Sequence, residues 1–264
     1  MDVLFKRIAA VLATVVALFF LLLQGVYWYG AYDLPQTLPG PRREYSDHAR
    51  ALVWAQSGGR GEIRIRRLSS IGLPLMSLGF SLRHVLAWKT GRFDTTHEPD
   101  ADGMSDLSLL GEASRNISFS MIASNEPRTA TRNEAGEVVH DAATLRQLPA
   151  RWQFIDMAVT SRLSREWPAE RIIDSILEKR YFGHQANGLE QAARTYFDLP
   201  VEQLSPSETA ALLVIGSAYS TPSCEPDDFR RAYVQLMLRT DFAFNLRDPD
   251  ADLTRMKLPV CETS

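Results

Sequence analysis

Cysteine and histidine are both scarce in this 264-residue chain, and their spacing limits the metal and redox chemistry that it could carry. Its two cysteines, Cys224 and Cys261, fit neither a metal-ligand nor a redox motif. The five histidines never recur at metal-ligand spacing, so no metal site is expected from them. The cysteines could close a loop of about 38 residues in an oxidising compartment, or remain buried unpaired thiols.

A large charge of one sign is also absent. The chain holds 29 Lys and Arg against 32 Asp and Glu, a formal net charge of -3. No global attraction to nucleic acid or to an anionic bilayer follows from this balance, so any basic site must be local. We expect no nucleic-acid partner.

One long uncharged run is present near the N-terminus, from Ile8 to Leu23, and the residues up to Tyr29 extend it. It comprises about 22 residues, which is enough to span a bilayer core. Lys6 and Arg7 precede the run and Asp33 follows it. By the positive-inside rule, the N-terminus is cytoplasmic and the rest of the chain lies outside.

A cleaved signal peptide shares these features, but the bulky residues Tyr27, Trp28 and Tyr29 replace the small residues of a cleavage site. We therefore favour an uncleaved single-pass anchor over residues 1–32. A tether with three prolines follows over 33–47, then a folded domain over 48–247 and a tail over 248–264.

Hydrophobic periodicity predicts a mostly helical domain. Leu189, Ala192, Ala193, Tyr196 and Phe197 share one helical face and should be core. A further helix opens with the capping-box pattern of Ser205 and Glu208, and a helix beginning near Pro168 carries an apolar stripe.

Other segments should not be helical. Alternation of Ile63 and Ile65 with arginines indicates a strand or extended edge. The polar stretches 90–106 and 125–141 should be loops.

A segment in the C-terminal half, Tyr181 to Ser223, closely resembles the glycosyltransferase family 51 domain of penicillin-binding proteins and monofunctional peptidoglycan transglycosylases. The resemblance rests on its Tyr-Phe-Gly, on Gly188, on Ala-Ala-Arg-Thr-Tyr-Phe and on Leu-Ser-x-x-Glu-x-Ala-x-Leu, all in family order. It implies a mainly α, lysozyme-like domain behind one transmembrane helix, located outside the bacterial cytoplasmic (inner) membrane, in the periplasm or its equivalent.

The family's reaction joins lipid II units: a sugar 4-hydroxyl attacks the anomeric carbon of a lipid-linked chain and expels undecaprenyl pyrophosphate. A carboxylate must accept the hydroxyl proton. The resemblance places Gln56 at the family's first glutamate and Ser57 at the following aspartate. Because an amide cannot accept this proton, the rate should fall by about 10²–10⁴-fold.

The other family motifs are also altered. Ser118 is expected in the substrate-binding serine- and glutamine-rich motif, which has lost both glutamines, and Asp156 aligns with the second catalytic carboxylate. Trp152 and Gln153 replace its basic companions, and the adjacent Arg151 is the candidate to replace them in binding substrate. A divalent metal such as Mg²⁺ would be expected only if the domain is active.

A basic cluster near the anchor remains open to two interpretations. Arg64 and Arg66, with Arg60 and Arg67, could bind a pyrophosphate or lipid headgroups, or could form a solvated edge. Glu62 is a weak candidate for a relocated base, since it lies six residues beyond Gln56.

Three hypotheses follow. The first is a pseudoenzyme of cell-wall assembly that binds lipid II, a glycan strand or a partner among the cell-wall synthesis proteins. The second is an active transferase that uses a rearranged site around Asp156 or Glu62. The third is a purely structural partner of another membrane protein, with bulky residues such as Trp54 and Phe119 filling the cleft.

Overall fold

The computed structural model describes residues 2–89, 104–125, 142–217, 225–240 and 255–257, and this part of the chain is mostly helical and has no strands. The helices, in chain order, are α1 Asp2–Ala31, α2 Asp47–Gln56, α3 Gly72–Lys89, α4 Ser105–Asn125, α5 Ala142–Glu166, α6 Ala169–Lys179, α7 Leu189–Phe197, α8 Pro206–Ser217 and α9 Pro226–Leu238. The expectation of a mainly α domain behind one apolar helix is confirmed.

The chain divides into two compact units. The first, which we call the anchor unit, contains α1, α3, the end of α4 from Ile117, and α5. The second, the C-terminal unit, contains α2, the beginning of α4, and α6 to α9.

In the anchor unit, helix α1 is long and apolar enough to cross a membrane from Phe5 to Ala31, and within the described residues it is the one such helix. Its C-terminal end packs on α5. The Tyr29 and Phe154 rings meet edge to face at 5.5 Å, and Gly30 lies so close to the Phe154 carbonyl that a Cβ would overlap it. A small residue is therefore needed at this crossing.

The segment between α1 and α2 is not helical, and each of its ends is hydrogen bonded to a neighbouring helix. Arg162 of α5 donates to the carbonyls of Pro35 and Gln36 at 2.7 and 2.6 Å within the anchor unit. Further along, Tyr45 is buried in the C-terminal unit, and its backbone N–H faces Asp174 Oδ1 at 3.3 Å.

The core of the C-terminal unit confirms the periodicity argument. All five predicted residues of α7 are buried. The Tyr196 hydroxyl donates to the Phe182 carbonyl at 2.6 Å, and burial raises the pKa of Tyr196 to about 12.

The capping box of α8 is formed as predicted. The Glu208 N–H donates to Ser205 Oγ at 3.2 Å, and the Ser205 N–H donates to Glu208 Oε2 at 2.9 Å. Each side chain thus satisfies a backbone donor at the start of the helix.

Other expectations differ from the structure or lie outside it. Ile63 to Arg66 is extended but pairs with no strand among the described residues, so the alternation reflects an extended segment and not a sheet. The loops predicted over 90–106 and 125–141 lie outside the described residues except at their margins, as do Cys224 and Cys261 and nearly all of the tail.

Candidate functional site

Gln56 is the last residue of α2, and both ends of its side-chain amide are hydrogen bonded. The amide nitrogen donates to the Leu213 carbonyl at 2.9 Å, and the amide oxygen accepts from Arg180 Nη1 at 2.5 Å. The helix stops here because Gly58 adopts a positive φ of 91°, which favours glycine. The residue that the resemblance predicts at the position of the family base is therefore an uncharged amide with both ends hydrogen bonded.

Arg180 joins Gln56 to a carboxylate that sequence reasoning missed. Its Nε and Nη2 atoms each donate to one oxygen of Glu112, both at 2.7 Å. The arginine side chain is 10% exposed and the glutamate side chain 27%. This two-bond geometry is the strongest form of arginine–carboxylate pairing, so Glu112 is held next to the amide by one shared guanidinium.

A second buried ion pair fixes the helix that carries Gln56. Arg50 of α2 donates from Nε and Nη2 to the two oxygens of Asp174 at 2.9 and 2.8 Å. Asp174 is 3% exposed, and its hydrogen bond raises the pKa of Arg50. The side chain of Asp174 is therefore committed to a structural pair.

Beyond the end of α2 lies a cavity of about 500 Å³ within the C-terminal unit. The segment from 58 to 66, the start of α4 and the indole of Trp54 surround it. Its lining residues are Trp54, Gly58, Gly59, Arg60, Arg64, Ile65, Arg66, Ser105 and Asp106. The lining thus combines three guanidinium groups, one carboxylate and an aromatic ring. We call it the basic cavity.

The arginines of the basic cavity differ in how firmly they are held. Arg66 donates from its backbone N–H and from Nε to Asp106 Oδ2, at 3.1 and 2.6 Å. Arg64 is 81% exposed and pairs with Glu62, itself 74% exposed, at 2.6 Å. An exposed pair of this kind is weak and exchanges readily with an anion from solution, so Arg64 is the more available of the two cations.

Trp54 closes one side of the basic cavity without filling it. Its side chain is buried, and its indole N–H has no hydrogen-bond partner among the residues that the structure describes. The backbone of Gly59 lies against the ring so closely that a Cβ there would overlap the indole.

The remaining predicted site residues belong to the anchor unit. Ser118 of α4 is fully buried, and within the described part of the chain its hydroxyl has no hydrogen-bond partner. Asp156 is half-buried on α5, and its carbonyl accepts from Thr160. Arg151 is part of α5 as well. The structure thus gathers Gln56, Arg64 and Arg66 in one unit and places Ser118, Arg151 and Asp156 in the other.

Two altered motif positions meet as an aromatic pair. The rings of Phe119 and Trp152 lie 4.8 Å apart, and Phe119 is 59% exposed. The phenylalanine therefore does not fill an interior space, contrary to what the structural-partner hypothesis expected of it.

The described residues offer no ready-made metal site, since no three His, Cys, Asp or Glu side chains converge among them. The carboxylate of Glu112, which shares Arg180 with Gln56, has both oxygens engaged by that arginine. No role for a metal is therefore derived from these residues.

Comparison with known proteins concerns mainly the C-terminal half. Residues 137–239 match the family model described as Transglycosylase. These residues are thus similar to a transglycosylase domain. The match includes Asp156, Asp174 and Arg180, whereas Gln56, Glu112 and the basic cavity precede it.

Individual relatives of the transglycosylase domain are distant. The chain is 34% identical over 74 residues to penicillin-binding protein 1A of Mycolicibacterium smegmatis, covering 27% of this chain and 9% of that protein. It is 30% identical over 92 residues to penicillin-binding protein 1F of Bacillus subtilis, covering 34% and 12%. It is 28% identical over 131 residues to the biosynthetic peptidoglycan transglycosylase of Pasteurella multocida, covering 40% and 53%.

The chain thus spans about half of the biosynthetic transglycosylase and about a tenth of each penicillin-binding protein. The chain thus contains a transglycosylase-like domain, and its first helix is long and apolar enough to cross a membrane.

Proposed function

We propose that this protein binds a lipid-linked peptidoglycan precursor, or the glycan made from it, outside the cytoplasmic membrane, and that it does not polymerise that precursor. The single observation that carries the proposal is the state of Gln56, whose amide is engaged by Arg180 and by the Leu213 carbonyl.

Polymerisation requires a group that accepts the proton of the attacking hydroxyl. The Gln56 amide has no basic lone pair for this step, and its oxygen already accepts from a guanidinium. Because Arg180 is cationic and only 10% exposed, it also opposes the build-up of positive charge that proton uptake nearby would create. These features support loss of catalysis more strongly than the substitution alone.

Binding does not require a base. Lipid II carries a diphosphate next to a saccharide, and the basic cavity offers guanidinium groups beside an indole face. Guanidinium groups bind phosphate oxygens in two-point contacts, and aromatic faces commonly form part of ligand sites. The open volume of about 500 Å³ favours ligand binding over the structural-partner hypothesis, which requires a filled cleft.

The location that we propose rests on the apolar helix near the N-terminus. Lys6 and Arg7 before the apolar run support, by the positive-inside rule, a location of the folded residues outside the cytoplasmic membrane. Relatives named as penicillin-binding proteins and biosynthetic transglycosylases support a role among cell-wall synthesis proteins.

Two assays on the full chain in nanodiscs test the proposal. The first follows glycan formation from fluorescent lipid II by gel electrophoresis, and we expect no polymer above the protein-free blank. The second measures lipid II binding by fluorescence anisotropy, and we expect saturable binding that Arg64→Ala weakens about 3- to 10-fold. Arg231→Ala is the matched control, since Arg231 is similarly exposed and paired on α9.

The outcomes separate the hypotheses. Robust polymer from the wild type would refute the loss of catalysis, and absence of binding would refute the role as a glycan-binding protein. Equal weakening by both arginine substitutions would indicate a diffuse charge effect rather than a site.

Glu112 gives a specific reason to keep an active transferase as a second candidate, because it places a carboxylate next to position 56. In that case Glu112 would accept the hydroxyl proton while the sugar oxygen attacks the anomeric carbon and the bond to the diphosphate breaks. If polymer is observed, its loss in Glu112→Gln would assign the base to Glu112, and its loss only in Asp156→Ala would assign it to Asp156.

A further inference from the structure

A second cavity, of about 430 Å³, lies within the C-terminal unit and shares no lining residue with the basic cavity. The segment before α2, the end of α6 and the start of α7 surround it. Its lining residues are Arg42, Arg43, Tyr45, Glu178, Asn187, Gly188, Glu190, Gln191 and Arg194. We call it the mixed-charge cavity, because guanidinium and carboxylate groups line it together.

The backbone around the mixed-charge cavity is held in place by hydrogen bonds. The Arg42 N–H donates to Glu178 Oε2 at 2.5 Å, and the Gly188 N–H donates to the Arg180 carbonyl at 2.8 Å. Gly188 has a φ of 85°, and a Cβ there would overlap the Glu178 carbonyl, so the position requires glycine. The cavity is thus formed before any ligand arrives, which lowers the ordering cost of binding.

The three arginines of this cavity are held with different strength. Arg43 donates to two glutamates, and its side chain is 32% exposed. Arg42 Nε lies 4.0 Å from Glu178 Oε1, and the Arg42 side chain is 92% exposed. Arg194 is 64% exposed and lies 3.4 Å from Glu190. Because exposed pairs of this kind contribute little, Arg42 and Arg194 can exchange them for an incoming carboxylate.

Two carboxylates restrict the ligands that the mixed-charge cavity accepts. The side chains of Glu178 and Glu190 are 21% and 44% exposed. A phosphate or another purely anionic ligand would lie beside these like charges, and a polyamine would lie beside the arginines; both arrangements are unfavourable. A ligand with one charged group of each sign is complementary to both sets of side chains.

Uncharged polar groups complete the lining. Asn187 and Gln191 carry amide groups, and Tyr45 carries a hydroxyl whose pKa is raised by burial and by the Glu178 carboxylate, so that it stays protonated. Amides and hydroxyls are suitable hydrogen-bond partners for the N–H and C=O groups of a peptide. The volume lies within the range of about 300–1,000 Å³ that is typical of sites for organic ligands, so there is room for more than a single ion.

We propose that the mixed-charge cavity binds a short peptide with a free carboxylate and a free ammonium group. Arg42 and Arg194 hold the carboxylate, and Glu178 and Glu190 hold the ammonium group. This site goes beyond the proposed function, since it shares no residue with the basic cavity and its ligand contains neither a diphosphate nor a saccharide.

Isothermal titration calorimetry on the full chain in nanodiscs tests this inference, with the tripeptide Ala-Lys-Ala as the probe. Amidation of its C-terminus removes the carboxylate, and acetylation of its amino groups removes the ammonium charges. Free alanine carries both charges but has no peptide bond. We expect saturable binding of the unmodified tripeptide, and binding weaker by about 3- to 10-fold for each modified form and for alanine.

Substitution of the two exposed arginines identifies the carboxylate contact. The double variant Arg42→Gln with Arg194→Gln should bind the unmodified tripeptide about 3- to 10-fold more weakly. Amidation should then cause little further loss, because both changes remove the same interaction. Arg230→Gln with Arg231→Gln is the matched control, since these adjacent arginines of α9 are also exposed and the change in net charge is the same. Thermal midpoints check folding, and the comparison of modified peptides needs no variant.

Absence of saturable binding, or equal binding of the modified and unmodified tripeptides, would overturn the proposal. Equal weakening by the two double variants would indicate a diffuse charge effect and would overturn it as well, as would alanine binding as tightly as the tripeptide. No lipid-linked precursor or glycan is present in these titrations, so a negative result would leave the proposed function unaffected.

Discussion

Arg180 and Gln56 are joined by a 2.5 Å hydrogen bond between residues 124 positions apart, and the same guanidinium holds both oxygens of Glu112. The residue that the resemblance predicts at the catalytic position is thus part of a structural array of hydrogen bonds. Three elements meet through one side chain: the end of α2, the beginning of α4 and the residue that follows α6.

Removal of Arg180 should therefore destabilise the C-terminal unit. In Arg180→Met the Glu112 carboxylate and the Gln56 oxygen lose their shared donor, and we expect a loss of about 2–4 kcal/mol. Thermal unfolding in detergent, followed by circular dichroism, measures this change. The double variant Arg180→Met with Glu112→Met should lose clearly less than the sum of the two single changes, and strict additivity would contradict the pairing.

Arg50 pairs with two carboxylates, those of Asp174 and Asp47, and its contact with Asp47 is 3.2 Å long. The two pairs share one arginine, so their contributions to stability can be compared directly. Asp174 is 3% exposed, whereas the Asp47 side chain is fully exposed. Asp174→Ala leaves a cation without its buried partner and should cost about 3–5 kcal/mol. Asp47→Ala should change the unfolding midpoint little. Equal midpoints for the two variants would show that burial does not determine the strength of this pair.

Local features of the sequence predicted much of the fold. The face of α7 and the capping box of Ser205 and Glu208 depend on residues within two turns of each other, and periodicity and capping rules act over that range. The length of α1 followed from composition in the same way.

The contacts that join Gln56, Arg180 and Glu112 could not be predicted from the sequence. Glu112 and Arg180 lie 68 residues apart, and no local rule pairs them. The one available signal in the sequence was Arg180, which stands directly before Tyr181 and follows the helix with an apolar stripe. The alternation at Ile63 to Arg66 was misleading, because period two describes any extended backbone and cannot show whether a neighbouring strand exists.

His48 should make stability depend on pH. Burial lowers the pKa of His48 below its ordinary value of 6.5, against the opposing effect of Asp47. The folded state thus favours the neutral ring, so this contribution is fully present above pH 6.5 and is lost as the pH falls below it. Urea unfolding at pH 7.5 and 5.5 should show a greater loss in the wild type than in His48→Gln. Identical losses would show that His48 does not contribute.

Gly59 should control the shape of the basic cavity. It contacts the Trp54 indole so closely that a Cβ would overlap the ring, and the Gly59 N–H donates to the Trp54 carbonyl at 2.9 Å. Gly59→Ala should therefore displace the indole and weaken lipid II binding about 10-fold, comparable to losing about 1.4 kcal/mol of contact energy.

Gly111→Ala is the control for this prediction. A Cβ at Gly111 meets open space within α4, so this substitution should keep or slightly raise stability. Anisotropy titrations of both variants, with thermal midpoints as a check on folding, measure the difference. Unchanged affinity in a folded Gly59→Ala protein would mean that the ligand does not bind against Trp54.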